Sequence, residues 1–165
     1  MKRPIIIGVM GGGSAQEADI QCAYRLGAGI AAKGWVLLNG GRDAGIMAAS
    51  AQGAAENGGL TIGILPDADT RLAAKHIQIP ICTGMGSARN TINVLSSDIV
   101  VACPGGAGTL SEIALALKHG KNVITLNFDP GKTFKHLQSN GTLTLAQTPE
   151  EVIRLIEVQL KNQTM

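Results

Sequence analysis

Four glycine-rich turns carry most of the chemistry this sequence can offer. They are Gly11-Gly12-Gly13 followed by Ser14, Gly40-Gly41 with Gly45 and Met47 just beyond, Thr83-Gly84-Met85-Gly86, and Pro104-Gly105-Gly106-Ala107-Gly108-Thr109. Each follows a short apolar run. A glycine turn between a strand and a helix lets the backbone come close to a ligand and aims free N–H groups at an anion, most often a phosphate. One such turn needs no function, because short α/β connections use glycine in any case. Four on one rim point to an anion-binding pocket.

Few side chains near these turns can act. If Ser87 caps a helix, Arg89 falls in its first turn, where a cation opposes the helix dipole by about 0.3–1 kcal/mol. An anion between Arg89 and the helix removes that cost; the alternative is a solvated surface arginine. Glu112 completes Thr109-Leu110-Ser111-Glu112, a capping box. It either holds the helix start, or binds ligand hydroxyls or assists chemistry. Arg42 and Asp43 follow the second turn, and either serve the same cleft or pair with each other on the surface. Asp67 and Asp69 follow the third strand in a loop that reads as solvated. His76, His119 and His136 lack metal-ligand spacing, and no Ser/His/Asp or Cys/His arrangement emerges. No protein metal ligand is expected.

The elements that must position these groups are legible in the hydropathy pattern. Short apolar runs predict strands over 5–10, 35–38, 60–65, 99–102, 122–126 and 143–145, and the alternation at 77–81 predicts a shorter one there. Helices are expected over 15–33, opened by a capping box at Ser14 to Glu17; over 44–56, capped by Asp43; and from Ser87 to about Leu95. Another follows the fourth turn, with Leu110, Ile113, Ala114 and Leu117 as its apolar face. After a helical turn over 133–137, Gly141 separates a last short strand from a helix opened by Thr148-Pro149-Glu150-Glu151, and a frayed tail ends the chain at 161–165. Strands and helices alternating at about 30-residue spacing predict an α/β protein. Its sheet is mostly parallel and doubly wound, with helices on both faces, in one domain over 1–165. Ligands of such sheets sit outside the carboxyl ends of the strands.

Composition excludes several classes. Aromatics are 2% of residues and the net charge is +2 with no basic run beyond two residues, so neither a stacking surface nor an electrostatic footprint for nucleic acid is present. No apolar stretch approaches the length of a membrane span. Cys22, Cys82 and Cys103 lie far apart, as buried thiols of a reducing compartment do. Lys2-Arg3 runs straight into Pro4 without a signal-peptide core, so the cytoplasm is the expected location.

The motifs also carry a resemblance. Pro104 to Glu112, PGGAGTLSE, resembles the PGGxGTxxE motif of the Lonely Guy (LOG) family, and Gly40 to Met47, GGRDAGIM, resembles its second glycine motif. That resemblance covers nearly the whole chain and implies a three-layer Rossmann-like fold. Two branches of the superfamily are relevant. In the hydrolases, which release free base from cytokinin riboside 5'-monophosphates, an Arg-Lys dipeptide acts with the final Glu. Arg89 and Glu112 match the Arg and the Glu. Asn90 stands where Lys is expected, and Ser111 where many hydrolases have a second acid. Both departures point away from hydrolysis.

The stretch from Thr83 to Lys118 is similar to the other branch, the molybdenum-cofactor carrier proteins. That resemblance implies a carrier without turnover. Its cargo is a pterin with a terminal phosphate and a dithiolene-bound oxo-molybdenum group. The implied contacts are the four turns with Arg42, Asp43, Arg89, Asn90 and Glu112, the phosphate lying on Gly105 to Thr109. It further implies a homodimer or homotetramer, with molybdoenzymes or cofactor-synthesis proteins as delivery partners.

Overall fold

A computed structural model describes residues 3–139 and 142–162. Seven strands form one all-parallel sheet: β1 (Ile6–Met10), β2 (Val36–Asn39), β3 (Thr61–Leu65), β4 (Ile79–Cys82), β5 (Ile99–Ala102), β6 (Asn122–Leu126) and β7 (Leu143–Ala146). Their order is β4-β3-β2-β1-β5-β6-β7. The chain winds outward from β1 to β4, then returns to place β5 against the other side of β1. The strand order therefore reverses between β1 and β5, where Gly8 pairs with Val100 and Met10 with Ala102. The helices are α1 (Glu17–Ala32), α2 (Gly45–Glu56), α3 (Asn90–Leu95), α4 (Ala107–Lys118), α5 (Lys135–Ser139) and α6 (Pro149–Asn162).

Side-chain alternation along the strands builds two cores. Ile7, Val9, Ile99 and Val101 pack with Leu26 and Ile30 of α1, Ile46 of α2 and Val152 and Ile156 of α6. Met10, Val100 and Ala102 pack with Val94 of α3 and Ile113 and Ala116 of α4. The result is the expected three-layer, Rossmann-like α/β architecture. On the first face α1 and α2 touch backbone to backbone. A Cβ on Gly27 would run into the Ser50 carbonyl oxygen, and one on Gly53 into that of Tyr24. No helix among the described residues is long and apolar enough to cross a membrane.

The strand forecasts hold to within two residues at either end, whereas most of the expected helix caps do not form. At Ser14 no capping box forms: α1 begins at Glu17 after Gln16, with no side-chain cap. Ala44, not Asp43, precedes α2, again without a side-chain cap. Ser87 caps no helix, because a 3₁₀ turn occupies Gly86–Arg89 and α3 starts only at Asn90. At the fourth turn, helix geometry begins at Ala107, two residues before Thr109, so Thr109 and Glu112 lie inside α4 and not at its cap.

The buried face of α4 is accordingly Thr109, Glu112, Ile113 and Ala116, while Leu110 and Ala114 point outward. At Thr148 the cap forms, with the returning carboxylate bond shifted one residue upstream. Glu151 N–H donates to Thr148 Oγ1 at 3.2 Å, the Glu151 carboxylate accepts from Gln147 N–H at 2.8 Å, and Pro149 is the first helical residue. β4 is an edge strand with all four residues exposed, a setting that tolerates Pro80. The break expected at Gly141, the chain start at Lys2 and the tail at 163–165 lie outside the described residues.

Candidate functional site

A cleft of about 540 Å³ opens at the carboxyl ends of β1, β2 and β5, over the reversal of strand order. Three of the four glycine turns converge there, because the fold forces their backbones together. Gly12 N–H donates to the Pro104 carbonyl at 2.9 Å, which joins the first turn to the fourth. A Cβ on Gly105 would collide with the Thr109 side chain and come within 2.9 Å of Gly12 N. Ile46 N–H donates to the Gly12 carbonyl at 3.0 Å, joining the second loop to the first. Gly45 lies against that contact at φ +48, where an L side chain would be strained and would strike Gly12 and Gly13. Behind the second turn, buried Asn39 donates to the Met47 carbonyl at 2.9 Å and accepts from Gly41 N–H at 2.8 Å.

Twelve of the residues expected at the site line the cleft: Gly11, Gly12, Gly13, Gly40, Arg42, Met47, Arg89, Asn90, Gly106, Gly108, Thr109 and Glu112. Pro104, Gly105, Gly41 and Gly45 stand behind this lining and shape it; Ser14, Asp43 and Ala107 are not part of it. The third turn is arranged differently. Thr83, Gly84 and Gly86 donate their N–H groups to the carbonyls of Leu65, Asp67 and Pro66 at 3.2, 3.0 and 3.0 Å. These donors fasten the turn to the end of β3, and only Gly86 and Ser87 from this region reach the cleft alongside Arg89. Thr83, Gly84 and Met85 do not line it.

The charged groups separate into paired and unpaired. Arg42 is tied to Asp67 by two hydrogen bonds, Nε to Oδ2 at 3.1 Å and Nη2 to Oδ1 at 2.7 Å. It therefore does not pair with Asp43, and Asp67 is not a freely solvated loop residue. Asp69 pairs with Arg71 on the surface. Arg89 is half-buried and lies over Gly40, where a Cβ would meet its guanidinium. Its Nε is buried with no acceptor among the described residues. Burial lowers its pKa, the charge of Glu112 opposes that shift, and Arg42 adds to it.

Glu112 is 6% exposed and accepts from Asn93 Nδ2 at 2.9 Å. Burial raises its carboxyl above the ordinary range, against the Asn93 bond and the Arg89 charge. Asn93 is fully buried, and its Oδ1 has no donor among the described residues. The two departures from the hydrolase pattern meet each other: Asn90 Nδ2 donates to Ser111 Oγ at 3.1 Å, and Ser111 Oγ donates to the Gly108 carbonyl at 2.6 Å. This neutral clamp fixes α3 to the start of α4.

Sequence reading missed Asn39 and Asn93. Asn39 sits directly between an apolar run and Gly-Gly, a pattern that marks a side chain holding the turn. Asn93 lies four residues beyond Arg89 on what reads as a helix, and only the partner across the cleft reveals its use. Among the described residues no cluster of His, Cys, Asp and Glu could hold a metal ion.

The SLOG cluster4 family model matches residues 4–153. The structure of the molybdenum cofactor binding protein from the phototrophic bacterium Rippkaea orientalis superposes with a TM-score of 0.92 at 51% identity, covering 97% of this chain and 99% of that one. The Moco Carrier Protein of Chlamydomonas reinhardtii superposes with a TM-score of 0.89 at 43% identity, over 97% and 99% of the two chains. A cytokinin riboside 5'-monophosphate phosphoribohydrolase of Mycobacterium tuberculosis is 32% identical over 84% of this chain and 79% of its own length. With an all-parallel sheet, PGGAGTLSE at the β5–α4 turn and carriers among its similar structures, the chain belongs to the SLOG cluster4 family, in the molybdenum-cofactor-carrier branch of the LOG superfamily.

Proposed function

We propose that this protein binds molybdenum cofactor as cargo and shields it without turning it over. The observation that carries the reading is Arg89, a half-buried guanidinium with an unpartnered Nε, held at the rim of converging backbone turns. An unpartnered donor of this kind costs stability, and an anion that meets it removes the cost. The cargo presents two anionic groups, a phosphate and the molybdenum oxygens. The phosphate lies on the start of α4, where Gly106, Gly108 and Thr109 line the cleft and first-turn N–H groups face outward. The metal oxygens lie toward the first and second turns and Arg89. A cleft of about 540 Å³ is within the usual range for a ligand of this size. The metal keeps its dithiolene sulfurs and needs no protein ligand.

The reading extends to a cytoplasmic homodimer or homotetramer that hands cargo to molybdoenzymes or cofactor-synthesis proteins. Exposed Ile79 and Ile81 on the edge strand, with Met85 beyond, offer apolar surface for assembly. Ile113 is committed to the subunit core, so any interface on α4 uses Leu110 and Ala114. Sedimentation that finds only monomer at micromolar protein rejects the assembly. The cargo is tested by purifying the chain from a host with intact cofactor synthesis and assaying bound pterin and molybdenum. Both should co-purify and both should fall in Arg89→Ala; background levels, together with no uptake of added cofactor, reject the reading.

The second reading is hydrolysis of a nucleoside 5'-monophosphate. It is favoured by one observation: the Glu112 carboxylate shares the cleft with Arg89. There Glu112 would engage the ribose hydroxyls or stabilise positive charge at the anomeric carbon, with Arg89 positioning the phosphate. Adenine release from AMP or its N6-modified forms, abolished in Glu112→Ala, supports it. No release at high protein concentration eliminates it.

A further inference from the structure

Glu112 poses a problem that anion binding alone does not solve. A buried carboxylate beside a phosphate site repels the ligand, and leaving it without donors is costly. No ion pair joins it to Arg89 or to any other cation among the described residues. Among the described residues its carboxylate takes one side-chain hydrogen bond, from Asn93, which is fully buried and holds the carboxylate facing the cleft. A carboxylate has about four acceptor positions, so most remain open. The ligand itself must therefore bring hydrogen-bond donors, and bring them on an uncharged part lying away from its anionic group.

We infer that Glu112 is the specificity residue for the heterocycle of the cargo, accepting the paired N3–H and 2-amino donors of a 2-amino-4-oxopyrimidine ring, with Asn93 as its positioning residue. The inference rests on the carrier reading and deepens it. The two donors of that ring edge lie side by side and match a planar carboxylate, as guanidinium donors do. A ring with a 2-oxo group in place of the 2-amino group turns a donor into an acceptor, which then faces the carboxylate. A site built around such a hydrogen bond rejects the mismatched analogue far more strongly than an apolar pocket rejects a change of size.

The test uses two fluorescent probes, 6-(phosphooxymethyl)pterin and 6-(phosphooxymethyl)lumazine, which differ only in the 2-amino and 2-oxo groups. Titrated into the full chain, the pterin should bind about tenfold or more tightly than the lumazine. In Glu112→Gln, which keeps an oxygen for Asn93 and adds a donor for the 2-oxo group, the ratio should fall to unity or invert. In Arg89→Met, which leaves Glu112 and Asn93 in place, the ratio should persist. Equal binding of the two probes by the wild-type chain overturns the inference without needing any variant. So does a ratio that survives in Glu112→Gln, or an equal weakening of both probes there, as a merely structural role would give. Failure of both probes to bind overturns it too, and co-purification of intact cofactor then decides separately whether the carrier reading stands.

Discussion

Replacing Arg89 by methionine should make the ligand-free protein more stable and the ligand-bound protein less so. In the free protein the guanidinium is half-buried and its Nε has no acceptor among the described residues. A buried donor left unpaired costs about 1–3 kcal/mol. The outer nitrogens keep part of their hydration, so the lower end applies, about 1 kcal/mol. Methionine is unbranched and flexible, so it keeps an apolar stem and puts no unpaired donor over Gly40, where the guanidinium lies. Arg89→Met should therefore gain about 1 kcal/mol in urea unfolding without ligand.

With an anion present the order should reverse. A hydrogen bond to a charged group contributes about 1.5–3 kcal/mol, which corresponds to a loss of about ten- to a hundredfold in affinity. At a concentration 100 times its Kd, a ligand stabilises the wild-type chain by about 2.7 kcal/mol, of which a variant bound ten- to a hundredfold more weakly keeps about 1.4 to 0.4 kcal/mol at the same concentration. Urea titrations of both proteins, with and without molybdate as the oxyanion, read the two effects separately. A variant that is less stable without ligand would show that Arg89 is satisfied within the protein. An equal molybdate response in both would show that Arg89 does not face the anion. Either result refutes the reasoning.

Three further expectations follow from the geometry. Burial raises the Glu112 carboxyl pKa, so the folded chain holds that proton more tightly than the unfolded one and loses stability as pH rises through the raised value. Glu112→Gln should thus outperform the wild type near about pH 7 and lose that advantage toward about pH 4; a gap independent of pH contradicts this. Gly27→Ala drives a methyl into the Ser50 backbone carbonyl, and overpacking of about 1–3 kcal/mol should outweigh the roughly 1 kcal/mol of helix propensity gained. An unchanged urea midpoint would mean that α1 and α2 separate freely. Cys103 is 1% exposed, with burial pushing its thiol up to about 12, whereas Cys82 is exposed on the edge strand. Native alkylation at neutral pH should mark Cys82 and spare Cys103 until the chain is unfolded, and early labelling of Cys103 contradicts the packing of β5.

The sheet was legible because its central strands are buried on both faces. Ile5 to Met10 and Ile99 to Ala102 are continuous apolar runs with glycine directly after or nearby, and nothing else in a short α/β chain reads that way. The edge was harder. Residues 77–81 read as a strand from alternation alone, and the strand forms one or two residues later, where exposure leaves no burial pattern to fix its limits. The third turn shows what sequence cannot say about a glycine. Thr83, Gly84 and Gly86 have the composition of a ligand loop, but their N–H groups are consumed by the carbonyls at the end of β3. That becomes visible only when β3 and β4 are side by side.

Glu112 shows how a local rule gives way to a tertiary one. Thr109-Leu110-Ser111-Glu112 fits the capping-box pattern as well as Thr148 to Glu151 does, yet only the second caps its helix. At Thr148 two residues separate β7 from the helix, so that Thr148 falls directly before it, and Pro149 favours the first turn there. At the fourth turn the start is set by Gly105. Its backbone must lie against Gly12 to join β5 to β1, and the Gly12–Pro104 bond holds it there. The chain has then already turned by Gly106, and the helix begins at Ala107. That three-residue advance carries Glu112 from the cap to the second turn of α4, where it faces the cleft and meets Asn93. The contact between the two glycine turns therefore does more than shape an anion site. It releases the carboxylate from capping and makes it available to a ligand.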